Sequence, residues 1–188
     1  MKILIIGPES SGKSTLCKNI AERYGFHQVK EFGRFYTEDL ISQDSAKINF
    51  EDFLLIAKMQ EKYIEESSKL FENIVVDTDA ITTAVFYKMF SSENNSFSQE
   101  NFNLILHLSN IVIYDLVIHL FPDEVPVQDG TRTFLDEKRR KNHNDEITDY
   151  HLIKLAARNM ANNYHYFTNS FATNRQQVFK LIDFLYER

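Results

Sequence analysis

Residues Gly7-Pro8-Glu9-Ser10-Ser11-Gly12-Lys13-Ser14 follow directly on the apolar run Ile3-Leu4-Ile5-Ile6. They fit the pattern Gly, four residues, Gly, Lys and then Ser or Thr, and a helix-like stretch from Thr15 to Ala21 continues the chain. A strand that turns through a glycine loop into a helix is a strong constraint on the fold. The glycines let backbone N–H groups close around phosphate oxygens, and the helix points its positive dipole end at them. Lys13 can reach the β- and γ-phosphates, and the Ser14 hydroxyl can ligate Mg²⁺. The segment therefore reads as a binding site for a nucleoside triphosphate.

At 188 residues the chain reads as one domain, 1–188, large enough to bury most of its apolar surface in one core. A net charge of −6 argues against a nonspecific grip on DNA or RNA, which needs a basic face. A phosphate loop binds mostly through backbone groups, so this charge is compatible with a small phosphorylated ligand. Cys17 is the single cysteine; it excludes an internal disulfide and reads as a small buried hydrophobe of the first helix. With no uninterrupted apolar stretch of about 18 residues, membrane insertion is not expected, and the expected location is the cytoplasm.

Three runs lack polar alternation: Ile3 to Ile6, Ile74 to Val76, and Leu116 to Leu120. Such runs suit central strands of a parallel sheet covered on both faces. Phe26 to Lys30 and Tyr164 to Phe167 alternate and belong at the edges. The pattern predicts an α/β fold of three layers, with a five-stranded parallel sheet of order 2-3-1-4-5 flanked by helices. Phe50, Phe53, Leu54, Ala57, Ile64 and Phe71 mark the apolar face of a long helix. Thr173 to Gln176 resembles a capping box that opens the last helix. Ser91 to Ser98 reads as a polar loop.

Ligands of open parallel sheets bind beyond the carboxyl ends of the strands. There the second strand leads into Glu31-Phe32-Gly33-Arg34, the third into Asp77-Thr78-Asp79, and the fourth towards Asp129-Gly130-Thr131-Arg132. An acid at the end of the third strand suits a water-mediated Mg²⁺ ligand, which makes Asp77 or Asp79 the metal partner. Glu31 faces the space beyond the γ-phosphate, where an acceptor hydroxyl must lose its proton, and can act as base. Acids in such places also cap helices, which is the alternative for Asp79 and for Glu31. Arg139 and Arg140 lie in a charged run that is either a solvated helix face or part of a lid that closes cations over the phosphoryl group. The scattered histidines carry no metal-ligand spacing.

Taken in order, Gly7-x-Glu9-Ser10-Ser11-Gly12-Lys13-Ser14, Glu31-x-Gly33-Arg34, Asp77-Thr78-Asp79-x-Ile81-Thr82-Thr83 and Asp129-Gly130-x-Arg132 resemble the ribosylnicotinamide kinase domain of the bacterial NadR family. The match runs from about Met1 to Arg140. The resemblance implies a phosphate-loop kinase fold and the ATP- and Mg²⁺-dependent phosphorylation of the 5′-hydroxyl of nicotinamide riboside. It places Gly7, Glu9, Ser10, Ser11, Gly12, Lys13, Ser14, Thr15 and Arg139 at ATP, and Ser14 and Asp77 at the metal. Glu31, Arg34, Asp79, Thr83 and Tyr87 would line the acceptor site. Lys13, Glu31, Asp77 and Arg132 would carry the reaction, with a lid at about residues 129–145. Aromatics such as Phe32, Phe35, Phe86 or Tyr87 suit a cationic pyridinium ring.

The chain departs from relatives at Lys30, where an aromatic can precede the glutamate; strand alternation puts Lys30 and Glu31 on opposite faces. Because the chain starts at the kinase strand, it should lack the adenylyltransferase and DNA-binding activities of longer relatives. The rival functions are another nucleoside or nucleotide kinase of the same architecture and an ATP-binding regulatory module. Arg34 is the one obvious cation at the acceptor site, which favours a neutral or cationic nucleoside over a nucleoside monophosphate.

Overall fold

The computed structural model describes residues 1–42, 48–109, 112–121 and 137–186. Five parallel strands, β1 (Lys2–Ile6), β2 (His27–Val29), β3 (Ile74–Asp77), β4 (Leu116–Leu120) and β5 (Tyr164–Phe167), form one sheet of order β2-β3-β1-β4-β5. This is the predicted order, and its cause is visible in burial. β3 and β4 are buried along their whole length, and so is β1 after Lys2, whereas the outer strands β2 and β5 are only partly covered. Continuous branched apolar runs need cover on both faces, and only central strands receive it.

Helices α1 (Lys13–Tyr24) and α7 (Phe171–Tyr186) cover one face, where Ile3, Ile5, Leu16, Cys17, Ile20, Val75, Ile118, Val178 and Ile182 make a core. On the other face α3 (Phe50–Leu70), α4 (Ala80–Glu93) and α6 (Glu137–Ala157) pack Ile64, Val85, Ile147 and Leu155 against Leu4, Ile6, Val76 and Val117. A third cluster joins α3, α4 and α5 (Gln99–Leu108) through Phe53, Ala57, Ala84, Tyr87, Phe102 and Ile105. Helix α2 (Phe32–Ser42) follows β2.

Several boundaries come from local hydrogen bonds. Asn49 and Asp52 form a reciprocal capping box at the start of α3, with bonds of 3.1 and 2.7 Å. The last helix starts earlier than its sequence suggests. Thr173 lies inside α7, and the Ser170 hydroxyl accepts the Thr173 N–H at 3.4 Å. The polar loop between α4 and α5 is shorter than Ser91–Ser98, because α4 continues to Glu93 and Ser98 caps α5. Cys17 is fully buried, and burial raises its thiol pKa well above the ordinary value. No described helix is long and apolar enough to cross a membrane.

Candidate functional site

The loop between β1 and α1 is shaped by two glycines that no other residue can replace. Gly7 has φ +143, and a Cβ there would lie 2.2 Å from the Leu120 carbonyl oxygen. Gly12 has φ +86, and a Cβ would meet the Phe171 ring at 2.5 Å. Ser10, at φ +61, also takes the left-handed conformation. Gly12 caps α1 without a side-chain hydrogen bond, and no acid occupies the first turn, so the positive end of the helix dipole faces the loop. Lys13 Nζ donates to the Pro8 carbonyl at 2.8 Å, which folds the lysine back over the loop. The Ser11 hydroxyl is buried and has no hydrogen-bond partner among the described residues, a polar group in the wall of the loop.

β3 delivers its last residue to the same place. Ile74 and Val76 face α3, α4 and α6, so Val75 and Asp77 face α1. There the Asp77 carboxylate meets the Ser14 hydroxyl, the first hydroxyl of α1. Thr78, at φ +72, then turns the chain sharply, with its N–H held by the Ile5 carbonyl at 3.1 Å. A left-handed β-branched residue is an outlier of the kind found beside functional groups. Serine and aspartate supply hard oxygen donors, a set that suits Mg²⁺ completed by phosphate and water.

Glu31 stands just beyond β2, its side chain 23% exposed, and Arg34 Nε approaches its carboxylate at 3.9 Å. Burial and the neighbouring Asp77 charge raise the Glu31 pKa to about 7, against the opposing pull of Lys13 and Arg34. Burial also raises Asp77, opposed by Lys13 and the Ser14 hydroxyl. Two carboxyls and a lysine thus share one site, and one of the carboxyls titrates near neutral pH. β2 ends at Val29, so Lys30 and Glu31 both follow the strand and alternation does not govern them; Lys30 is exposed and Glu31 half-buried.

The structure gathers Gly7 to Thr15, Glu31, Arg34 and Asp77, and gives Asp79, Thr83, Tyr87 and Arg139 other partners. Asp79 is 1% exposed and caps α4, accepting the Thr82 N–H at 3.2 Å, which is the capping alternative weighed for it. Its oxygens lie 3.1 and 3.2 Å from His151 Nε2. Burial alone would raise its pKa; the charge and hydrogen bond of His151 outweigh that and hold it at about 2. The Thr83 hydroxyl donates to the Asp79 carbonyl at 3.4 Å. Tyr87 lies against Phe50 and Phe53, and its hydroxyl accepts the Ser98 N–H at 3.2 Å. Arg139 pairs with Glu93 at 3.4 Å on an exposed surface. Its neighbour Arg140 turns inward, 5% exposed, donates to the Glu9 carbonyl at 3.3 Å and covers the Phe121 ring at 5.1 Å. Arg132 and residues 129–136 of the expected lid lie outside the described residues.

Sequence reading missed three groups. Gln60 of α3, 1% exposed, bonds to the backbone of both Phe32 and Thr78. Its signal was present, because a glutamine at position 60 continues the apolar face of Ala57 and Ile64. His119 and His143 are fully buried, their pKa values lowered by burial to about 3. The His143 ring lies 4.1 Å from that of Phe86.

A family model described as an AAA domain matches residues 2–161. The chain belongs to that family. It is 31% identical over 140 residues to the trifunctional NAD biosynthesis/regulator protein NadR of Escherichia coli strain K12, covering 74% of this chain. The Salmonella typhimurium NadR matches equally, at 31% over 140 residues. The chain spans about a third (32%) of the length of these relatives. Among solved structures, NadR in complex with NR superposes with a TM-score of 0.67 at 23% identity, over 88% of this chain and 45% of that one. Deoxyadenosine kinase from M. mycoides gives a TM-score of 0.67 at 19% identity, over 97% of this chain and 99% of that one. The shared fold is that of the phosphate-loop kinases, as the strand order and loop indicated.

Proposed function

We propose that the chain transfers the γ-phosphoryl group of ATP to the 5′-hydroxyl of nicotinamide riboside, giving nicotinamide mononucleotide and ADP. The observation that carries this reading is Glu31, a carboxyl titrating near neutrality beside Asp77 and Lys13 and next to the phosphate loop. The loop, with Gly7, Ser10, Ser11, Gly12 and Thr15, cradles the triphosphate, and Lys13 exchanges the Pro8 carbonyl for phosphate oxygens. Glu31 takes the proton of the acceptor hydroxyl as its oxygen bonds to the γ-phosphorus; the bond to the β–γ bridging oxygen breaks and ADP leaves. Ser14 and Asp77 would hold Mg²⁺, which would supply neutralisation of the phosphate charge. Arg34 steadies the Glu31 carboxylate, and the cationic pyridinium of the substrate is favoured by the acids around it. Similarity to NadR over 140 residues supports this acceptor.

The test is direct. Purified protein is incubated with ATP, Mg²⁺ and a panel of nucleosides, and each product is weighed by mass spectrometry. The expected result is addition of one phosphoryl group to nicotinamide riboside in preference to adenosine, deoxyadenosine or thymidine. Preference for another nucleoside overturns the acceptor and keeps the kinase. ATP binding with no transfer at all would leave a nucleotide-responsive regulatory module.

A further inference from the structure

The two acids that the proposed reaction needs come from separate elements, and the sheet does not fix their separation. β2 and β3 pair through His27–Ile74, Gln28–Val75 and Val29–Val76, and the ladder ends there. Asp77 is still paired with Ile5 of β1, but Glu31 lies past the end of β2, so no pairing between β2 and β3 sets the separation of the two acids. One side chain bridges the gap. Gln60 Oε1 accepts the Phe32 N–H at 2.7 Å, and its Nε2 donates to the Thr78 carbonyl at 3.1 Å and the Asp77 carbonyl at 3.4 Å. The same amide therefore binds the residue after Glu31 and the backbone of Asp77 itself. It also pins Thr78 in its left-handed turn.

We propose that Gln60 is a positioning residue: its amide sets the distance between the Glu31 base and the Asp77–phosphate-loop side of the site. This role presupposes the kinase reading above. Glutamine suits it because one buried side chain must accept at one end and donate at the other, without charge. Asparagine is a methylene too short, glutamate cannot donate, and methionine can do neither. A shift of about 1 Å between base and phosphoryl donor is enough to cost on the order of 10²-fold in rate.

The experiment compares wild type, Gln60→Met and Gln60→Glu, with ADP and phosphorylated nucleoside measured separately and folding followed by circular dichroism. The wild type forms about one ADP per acceptor phosphorylated. In Gln60→Met, acceptor phosphorylation falls roughly 10–100-fold. The acceptor KM rises, the ATP KM changes by less than about threefold, and ADP per phosphorylated acceptor rises severalfold as water competes for the phosphoryl group. Gln60→Glu, which keeps the bond to Phe32, moves in the same direction. Lower stability alone reduces the active fraction and leaves the product ratio and both KM values where they were. A folded variant with the wild-type ratio and acceptor KM overturns the proposal. So does unfolding of both variants, because Gln60 then holds the fold rather than the geometry. A wild type that phosphorylates no acceptor brings down the kinase reading instead, before any variant is made.

Discussion

As the proposed base, Glu31 can take a proton only when ionised, and its pKa of about 7 sits inside the physiological range. The sign of the expected pH dependence follows. Activity should fall as pH drops below about 7, because burial and the Asp77 charge favour the protonated acid. Glu31→Gln should lower kcat by roughly 10²–10⁴-fold, remove the acidic limb, and leave ATP affinity nearly unchanged. Near-normal turnover in that variant would move the base to another residue. In the proposed reaction Lys13 makes a different kind of contribution, at the triphosphate rather than the acceptor. ATP at about 100 times its Kd should stabilise the wild type by about 2.7 kcal/mol in a thermal melt. Lys13→Ala should lose most of that gain together with turnover. An equal ATP-induced shift in the variant would contradict the part given to Lys13.

At the scale of elements, Asp79 holds two helices at once. Its side chain caps α4 through Thr82 and faces His151 of α6, both of whose ring nitrogens meet oxygen acceptors. Asp79→Ala removes a helix cap, worth about 1 kcal/mol, and strips a buried histidine of its carboxylate, worth about 3 kcal/mol. Urea unfolding should therefore show a loss of about 3–4 kcal/mol, with the acceptor KM of the surviving folded protein little changed. Full stability with a raised acceptor KM would return Asp79 to the substrate. The strands and the phosphate loop were legible in the sequence because their signals are local: unbroken branched runs, and glycines at fixed spacing. The inward face of α6 was not. It runs through Arg140, Asn144, Ile147, His151 and Leu155, a helical stripe built largely of polar residues, which a search for apolar periodicity passes over. For the same reason sequence could not separate Arg139 from Arg140. Adjacent residues of identical chemistry differ only in which way the helix turns them, and that is decided by packing against β4 and the loop. The start of α7 differs from the sequence reading because Ser170 and Thr173 are both competent caps, and it is the Ser170 hydroxyl that accepts the Thr173 N–H.

Across the whole molecule, the buried titrating groups oppose one another, and this shapes the response to acid. Glu31 and Glu61 are both raised from an ordinary 4.5 to about 7, each first by burial and then by a neighbouring aspartate. As pH falls from 7 to 4.5, the folded chain takes up protons that the unfolded chain does not, so these two acids increase stability. Burial lowers His119 and His143 from an ordinary 6.5 to about 3. Between pH 6.5 and 3 the unfolded chain binds protons that the folded chain refuses, so the two histidines decrease stability as pH falls. Asp77 shifts in the sense of the glutamates, and half-buried His165 in that of the histidines. Over the shared window the two sets of contributions oppose one another. Below pH 4.5 the glutamates have no more to give, the histidines continue to cost stability, and Asp79 begins to lose its own contribution towards its pKa of about 2. The urea midpoint should accordingly fall less steeply from pH 6.5 to 4.5 than in more acid solution. Glu61→Gln tests the balance, because its amide oxygen can still accept the Ala80 N–H that Glu61 accepts at 3.0 Å. With one acid removed, the two histidines are opposed by less, and the midpoint of the variant should decline more steeply than that of the wild type as pH drops from 6.5 to 4.5. A wild-type profile in Glu61→Gln would show that the glutamate is not part of the acid side of this balance.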